Sequence, residues 1–394
     1  MALGKPRMRI YLDHNAGAPL RRSAAAAMAR VAQECHGNPA SVHRSGQHAR
    51  KILEEARGRV AALLGASARN IVFTSGGTEA NNLAIYGAAR ACGGRRRIIT
   101  SAIEHSSILA PLAELERSGF NTERLTPDRD GRIDPEQITN ALDDNTALVT
   151  IALANAEAGT IQQVAGLGEA IAGSGALFHL DAAQALGRIP LGVEELGCDL
   201  MTLSAHKIGG PAGCGALYVR AGTRIEPVML GGPQEAGLRA GTPNLLGAAG
   251  FGAAAQELLT LFDNENTRVG ELASFLFARL TVAIRRLSLN GPLTGRLPNT
   301  LNLTFPGVLG ESLLIALDLE GIEVSMGSAC AAGAVEPSHV LLAMGRTPAE
   351  ARSSLRISLG WNTTADDIAR AASLIPRVYD RVTASARDAE APTP

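Results

Sequence analysis

Aromatic side chains are scarce, 3% of the chain, which leaves few platforms on which bases could stack. Charge of one sign is missing too. The 37 basic and 38 acidic residues give a formal net charge of -1 and are spread without blocks, so no surface is expected to track a phosphate backbone. Nucleic acid is therefore not an expected partner. The five cysteines (Cys35, Cys92, Cys198, Cys214 and Cys330) are odd in number and none stands in a C-x-x-C pair, so neither a zinc site nor a disulfide framework is expected. No run approaches about eighteen uninterrupted apolar residues, and Met1 to Arg9 carries basic residues without an apolar stretch behind them. The expectation is a cytoplasmic protein with no membrane contact.

What is abundant is small and apolar. Hydrophobic residues make up 46% of 394, enough for two domains or for one large domain with a smaller lobe, and the many Ala and Gly residues suit close packing of helices on a sheet. Strand-like apolar runs at Ile71–Phe73, Arg97–Thr100, Ala147–Leu153, Ala176–Leu180 and Asp199–Leu203 alternate with helical patterns such as Gln47–Leu64, which Gly65 stops, and Glu79–Arg90. This alternation predicts a mainly parallel α/β sheet, whose chemistry belongs at the carboxyl ends of the strands. Past about residue 262 the pattern changes to an α+β lobe: a long helix over Val269–Arg286, a strand at Thr300–Thr304, a helix from Glu311, a strand at Ile322–Ser325, and a last helix capped by Thr364 with Asp367. The polar tail from Ala384 is expected to fray.

Four strand ends carry reactive groups. Lys207, in Ser204-Ala205-His206-Lys207 ahead of Gly209-Gly210, is placed to form a Schiff base with an aldehyde cofactor. Thr74 to Asn81 joins a buried strand to a helix, and its Gly76, Gly77 and Thr78 surround free N–H groups that suit one phosphate; the loop is neither G-x-x-x-x-G-K-[ST] nor G-x-G-x-x-G. Asp181 ends a strand at the same edge and suits a protonated pyridine nitrogen. His105 suits a lid over a flat ring. Each has a plainer reading as a solvated lysine, a structural turn, an N-cap aspartate or a capping histidine; their order in one chain favours the chemical one.

That order resembles the group I (NifS/IscS-like) cysteine desulfurases, in the class V aminotransferase family of the fold-type I pyridoxal-phosphate enzymes. The resemblance runs from Tyr11-Leu12-Asp13-His14-Asn15 to Ser358-Leu359-Gly360. It rests on Gly37-Asn38-Pro39-Ala40-Ser41-Val42-His43, Thr74 to Asn82, Glu104-His105, Asp181-Ala182-Ala183-Gln184, Ser204 to Gly210, Arg239-Ala240-Gly241-Thr242, Gly327-Ser328-Ala329-Cys330 and Ser353-Ser354-Leu355-Arg356.

The resemblance implies a large domain over 16–262 built on a mainly parallel seven-stranded sheet between helices, and a small α+β domain from 1–15 and 263–394. Pyridoxal 5'-phosphate is the implied cofactor. Lys207 would hold it and move protons, Asp181 would pair with the ring nitrogen and His105 would stack on the ring. Asn155 and Gln184 would bond its phenolic oxygen. Gly77, Thr78, Ser204 and His206 would hold the phosphate, with Thr242 reaching it from the partner of a homodimer. Arg356 would clamp the carboxylate of L-cysteine, with Asn38, His43 and Asn155 on the substrate side.

Cys330 is the implied nucleophile, set in a small-residue run whose loop is implied to deliver sulfur as a persulfide to an acceptor protein such as an iron-sulfur cluster scaffold. A selenocysteine lyase, or another aminotransferase-like enzyme, is the alternative in the same cofactor class, and a non-catalytic scaffold the alternative outside it. Gly17-Ala18, Ala156 and Ala331-Ala332 depart from the family pattern by losing hydroxyls or an amide.

Overall fold

The computed structural model describes residues 9–327 and 336–390. The expected nucleophile Cys330 lies outside the described residues, as does the tail beyond Glu390. Two hydrophobic cores organise the chain. The larger draws on residues between Ala24 and Leu297 and includes Phe178, Leu180, Met201 and Phe251. The smaller joins Ile10 and Leu12 to residues from Val269 to Val378.

The larger core surrounds seven strands in the spatial order Ile71–Thr74, Gly215–Val219, Leu200–Ser204, Leu177–Asp181, Thr146–Ala152, Arg97–Ser101, Asn121–Leu125. All run parallel except Gly215–Val219, which is antiparallel to both neighbours. The central strands read as unbroken apolar runs because helices cover both faces, and burying each Leu, Ile or Phe there contributes about 1.5–3 kcal/mol. The edge strand Asn121–Leu125 was not expected. Its sequence, Asn-Thr-Glu-Arg-Leu, is polar and partly exposed, and its charges blunt the edge, with Glu123 paired to Arg97 across the ladder.

The smaller core holds the antiparallel strands Ser288–Leu289, Thr300–Thr304 and Ser354–Ser358, with Ile10–Tyr11 parallel to Ile322–Glu323 nearby. Gly310–Leu319 and Ala365–Glu390 cover it. The last helix opens on a reciprocal cap: Thr364 Oγ1 donates to Asp367 Oδ2 at 2.7 Å and accepts from Asp367 N at 3.1 Å. Helix continues through Ala384 to Glu390, into the tail expected to fray.

One helix links the two cores and corrects the sequence reading. It spans Leu245–Ala283 rather than starting at Val269, and the expected division at 262/263 falls inside it. Glycine in its first part serves contact: a Cβ on Gly252 would sit 2.7 Å from Ala56 Cα in the helix Arg44–Ala62. This helix is also long and apolar enough to cross a membrane, and 56% of its apolar window is buried inside the fold.

Candidate active site

The carboxyl ends of the parallel strands meet at one edge of the sheet, and the expected residues arrive there in turn. Lys207 lies in the 3-10 turn Ala205–Ile208 directly after Leu200–Ser204. Its Nζ donates to Asn15 O at 2.5 Å and Ala16 O at 3.0 Å. Loss of hydration, together with the cations Arg188 and Arg356, brings its pKa down to about 8, against the opposing pull of Asp13 and Asp181. An amine so tuned is a nucleophile near neutral pH.

Asp181 is the last residue of its strand and is buried. Its Oδ1 accepts from Ala183 N at 2.9 Å, the local cap, and its Oδ2 accepts from Asn81 Nδ2 at 2.8 Å. Asn81 also donates to Ser107 Oγ at 2.8 Å, and Ser107 in turn holds His105: its N–H donates to His105 Nδ1 at 3.1 Å, with its hydroxyl 2.8 Å from the same nitrogen. Asp181 and His105 are thereby joined through two side chains that the sequence reading had assigned no role. The signal was present, since Asn81 stands four residues after Gly77, on the helix face turned toward the sheet. His105 caps the helix Ser106–Arg117 while keeping part of its ring open to solvent. Loss of hydration keeps it below the ordinary histidine range, Asp181 opposing and Lys207 reinforcing.

The phosphate seat is formed by Thr74–Thr78 at the start of the helix Gly77–Ala91. A Cβ on Gly77 would touch Ser204 Cβ at 3.5 Å, so the glycine brings the helix N-terminus against Ser204, whose Oγ lies 3.0 Å from His206 Nδ1. Thr78 is exposed in the first turn, and Glu79 closes the loop by accepting from Ser75 N at 2.8 Å and pairing with Arg239 at 2.9 Å. Burial and Lys207 bring His206 down to about 4, so it is a neutral hydrogen-bonding ring at pH 7. Gly17 lies against it, 3.7 Å from a built Cβ to His206 Cδ2. Thr242 is exposed and lines a cavity of about 250 Å³ with Thr74, Ser75 and Arg239.

Asn155 and Gln184 are buried and well used. Asn155 donates to Ile103 O at 3.0 Å and accepts from the N–H groups of Glu157 and Ala158, both at 2.9 Å, which leaves one N–H of its amide. Gln184 donates to Asn15 O at 3.0 Å and accepts from Arg188. Arg356, buried in Ser354–Ser358, donates from Nη2 to Asp13 Oδ1 at 2.8 Å and from Nη1 to Ala156 O at 3.4 Å; its Nε has no partner. Asn38 and His43 lie in the turn ahead of the helix Arg44–Ala62. They are exposed and serve their own turn, Asn38 Oδ1 accepting from Ala40 N and His43 Nδ1 from Gly46 N at the start of the helix Arg44–Ala62.

Two further carboxylates lie under the site. Glu104, next to His105, accepts from Ser101 Oγ at 2.5 Å and from Ala152 N, and burial pushes its pKa up to about 8. Glu157 accepts from Ser338 Oγ at 2.5 Å, and burial holds it above the usual carboxylate range.

The residues from Ile10 to Ala371 match the family model for class-V aminotransferases. The chain belongs to that family. A cysteine desulfurase IscS of Dictyoglomus turgidum is 43% identical over 374 residues, covering 95% of both chains. Among solved structures, a NifS-like protein superposes with a TM-score of 0.89 at 34% identity, covering 95% of this chain and all of that one. SspA in complex with cysteine superposes at 0.80 and 34%, covering 90% of this chain and 99% of that one.

The family and these desulfurases work with pyridoxal 5'-phosphate, and the residues present fit it. Lys207 is a low-pKa amine, Asp181 is a strand-end carboxylate, Gly77 admits a phosphate close to Ser204, and Arg356 Nε stands buried without an acceptor. Cys198 and Cys214 are buried, and loss of hydration raises both thiols to about 12, which removes them as nucleophiles. Cys35 and Cys92 sit half-buried at helix ends.

Proposed function

We propose that this chain is a pyridoxal-phosphate cysteine desulfurase that converts L-cysteine to L-alanine and retains the sulfur as a persulfide on Cys330. One observation carries the assignment of residues. Arg356 N donates to Ser325 O at 2.6 Å, and Ser325 N donates to Arg356 O at 3.0 Å. The clamp for a substrate carboxylate thus lies beside the backbone that leads, five residues later, to Cys330.

When bound, the cofactor draws electron density from the substrate amino acid. Around it, Arg356 turns its free Nε to the carboxylate and fixes the orientation of L-cysteine. Lys207, near half-deprotonated at pH 8, takes and returns the proton at the substrate α-carbon. Asp181, held by Asn81 and Ala183 N, would face the ring nitrogen, and His105, kept below the ordinary histidine range by loss of hydration, would stand at the ring face. The Cys330 thiolate forms a bond to the substrate sulfur while the carbon–sulfur bond breaks. The electron pair of that bond stays with carbon, which takes a proton and leaves as alanine, and no external oxidant or reductant is consumed.

The same reading makes the protein a cytoplasmic homodimer, in which Thr242 reaches the phosphate of the partner subunit, and gives the persulfide to an acceptor protein for iron-sulfur cluster or other thio-cofactor assembly. The exposure of Thr242 and its place in a cavity with Ser75 support the dimer.

The test is alanine and sulfide formed from L-cysteine by cofactor-loaded protein with a thiol reductant, beside Cys330→Ala. Equal amounts that vanish in the variant are expected. Alanine release that survives the substitution would move the assignment to a selenocysteine lyase or another aminotransferase-like reaction.

A further inference from the structure

The hydrogens in the chain of contacts from Asp181 to His105 can be assigned one by one, because one end is a carboxylate and the other receives a backbone N–H. Asp181 Oδ2 accepts one N–H of the Asn81 amide at 2.8 Å, since an amide oxygen turned toward that carboxylate would be repelled. The same nitrogen gives its second hydrogen to Ser107 Oγ, also at 2.8 Å. Asn81 Oδ1 is buried and has no partner, so the amide holds this orientation although its own acceptor goes unused.

Ser107 is buried as well. Its oxygen already receives a hydrogen from Asn81, so its hydroxyl proton goes to the neighbour 2.8 Å away, His105 Nδ1. The backbone N–H of Ser107 donates to the same ring nitrogen at 3.1 Å, and that role cannot reverse. His105 Nδ1 therefore receives two donors and carries no proton of its own. A proton placed there would meet both hydrogens, so charging the ring breaks the chain of contacts. Loss of hydration works in the same direction.

We propose that Asn81 and Ser107 are positioning residues that hold His105 neutral with its proton on Nε2, so that the ring offers the site an N–H donor and no free base. Taking the proton from the substrate α-carbon is then left to Lys207, and His105 supplies a hydrogen bond to negative charge that develops beside it. The inference rests on reading this cluster as the cofactor site of a desulfurase. The charged and titratable groups facing the ring are Asp181, which favours its protonation, and Lys207 and His339, which oppose it.

The experiment uses the full-length, cofactor-loaded protein with isotope-labelled histidine, in which long-range proton–nitrogen correlation NMR spectra report the protonation of each ring nitrogen. The His105 signal is the one missing from His105→Gln. Between about pH 5 and 9, the neutral ring of the wild type is expected to show Nδ1 bare and Nε2 protonated. Asn81→Leu frees the Ser107 hydroxyl to turn and accept from a charged ring, and is expected to raise the pKa of His105 by at least about 0.5 pH unit. Ser107→Ala moves it the same way, and carries the test if Asn81→Leu does not fold. Ser107→Thr, which keeps the hydroxyl, restores the wild-type value.

A proton on Nδ1 in the neutral wild-type ring, or a mixture of the two neutral forms, overturns the proposal. So does a His105 pKa that moves in neither Asn81→Leu nor Ser107→Ala, which would leave both side chains as packing alone. Alanine formation from L-cysteine is measured on the same wild-type sample. If none forms while the spectra are as expected, the hydrogen assignment stands and the desulfurase reading falls.

Discussion

Arg356 Nη2 holds the carboxylate of Asp13 at 2.8 Å, while the Nε of the same guanidinium, equally buried, has no acceptor. The arginine is anchored by one edge and unsatisfied on another, which is the arrangement expected of a group waiting for a second carboxylate. Replacing it with lysine keeps the charge but loses the planar fork. Arg356→Lys is expected to lower kcat/KM for L-cysteine by about 10- to 100-fold, mainly through KM, with cofactor content unchanged. Steady-state kinetics with absorbance at the cofactor band checks both parts. A loss confined to kcat would remove the clamp from Arg356.

Lys207 governs how the cofactor is taken up. Its amine is held at about 8 rather than near the usual lysine value, so the rate at which cofactor-free protein captures pyridoxal 5'-phosphate should rise with pH and level off above about 8. Stopped-flow absorbance from pH 6 to 10, with roughly those limits set by the two pKa values, follows this directly. A capture rate still climbing steeply at the upper limit would show an unshifted lysine.

His179 sits two residues before Asp181 in the same strand, its ring bridging Thr150 Oγ1 at 2.8 Å and Thr202 Oγ1 at 3.0 Å in the neighbouring strands. Burial takes its pKa down to about 3. In the unfolded chain it binds a proton near 6.5, so between about 6.5 and 3 the unfolded state holds the extra proton and stability falls as pH falls, by up to about 1.4 kcal/mol per pH unit. Glu104, raised to about 8 from 4.5, has the opposite sign: its contribution is complete below its unfolded pKa and is lost as pH rises through the window up to about 8. The difference between wild type and His179→Gln in urea denaturation isolates the histidine. The wild type should lose more stability than the variant between pH 6.5 and 4.5, and parallel losses would mean that His179 protonates in the fold.

Gly252 lets the long helix Leu245–Ala283 lie against Ala56. Gly252→Ala gains helix propensity of about 1 kcal/mol but places a methyl 2.7 Å from a backbone carbon, and overpacking of that kind costs about 1–3 kcal/mol. A net drop in melting temperature is expected, with unchanged activity at 25 °C per folded molecule. A rise would show that the two helices separate freely.

Much of the site was legible because its residues stand at ends of strands that read plainly as apolar runs. Lys207, Asp181 and His105 each follow such a run, and a parallel sheet brings those ends to one edge whatever the helices between them do. The edge strand Asn121–Leu125 was not legible, since it has one covered side and a polar sequence. Nor was the start of the long helix, where Gly250 and Gly252 weaken a helical pattern and the neighbours that require their smallness, Met28 and Ala56, are far away in sequence.

The amino-acid order by itself determined the α/β architecture and the residues at the strand ends, because periodicity and local turn chemistry act over a few residues, and the family resemblance added the cofactor class. Only the tertiary structure decided that Asn81 and Ser107 couple Asp181 to His105, that Asp13 anchors Arg356, and that Glu157 receives Ser338. Those partners lie up to 343 positions apart in sequence, and contacts at such separation arise from the packing of the two cores rather than from any local pattern.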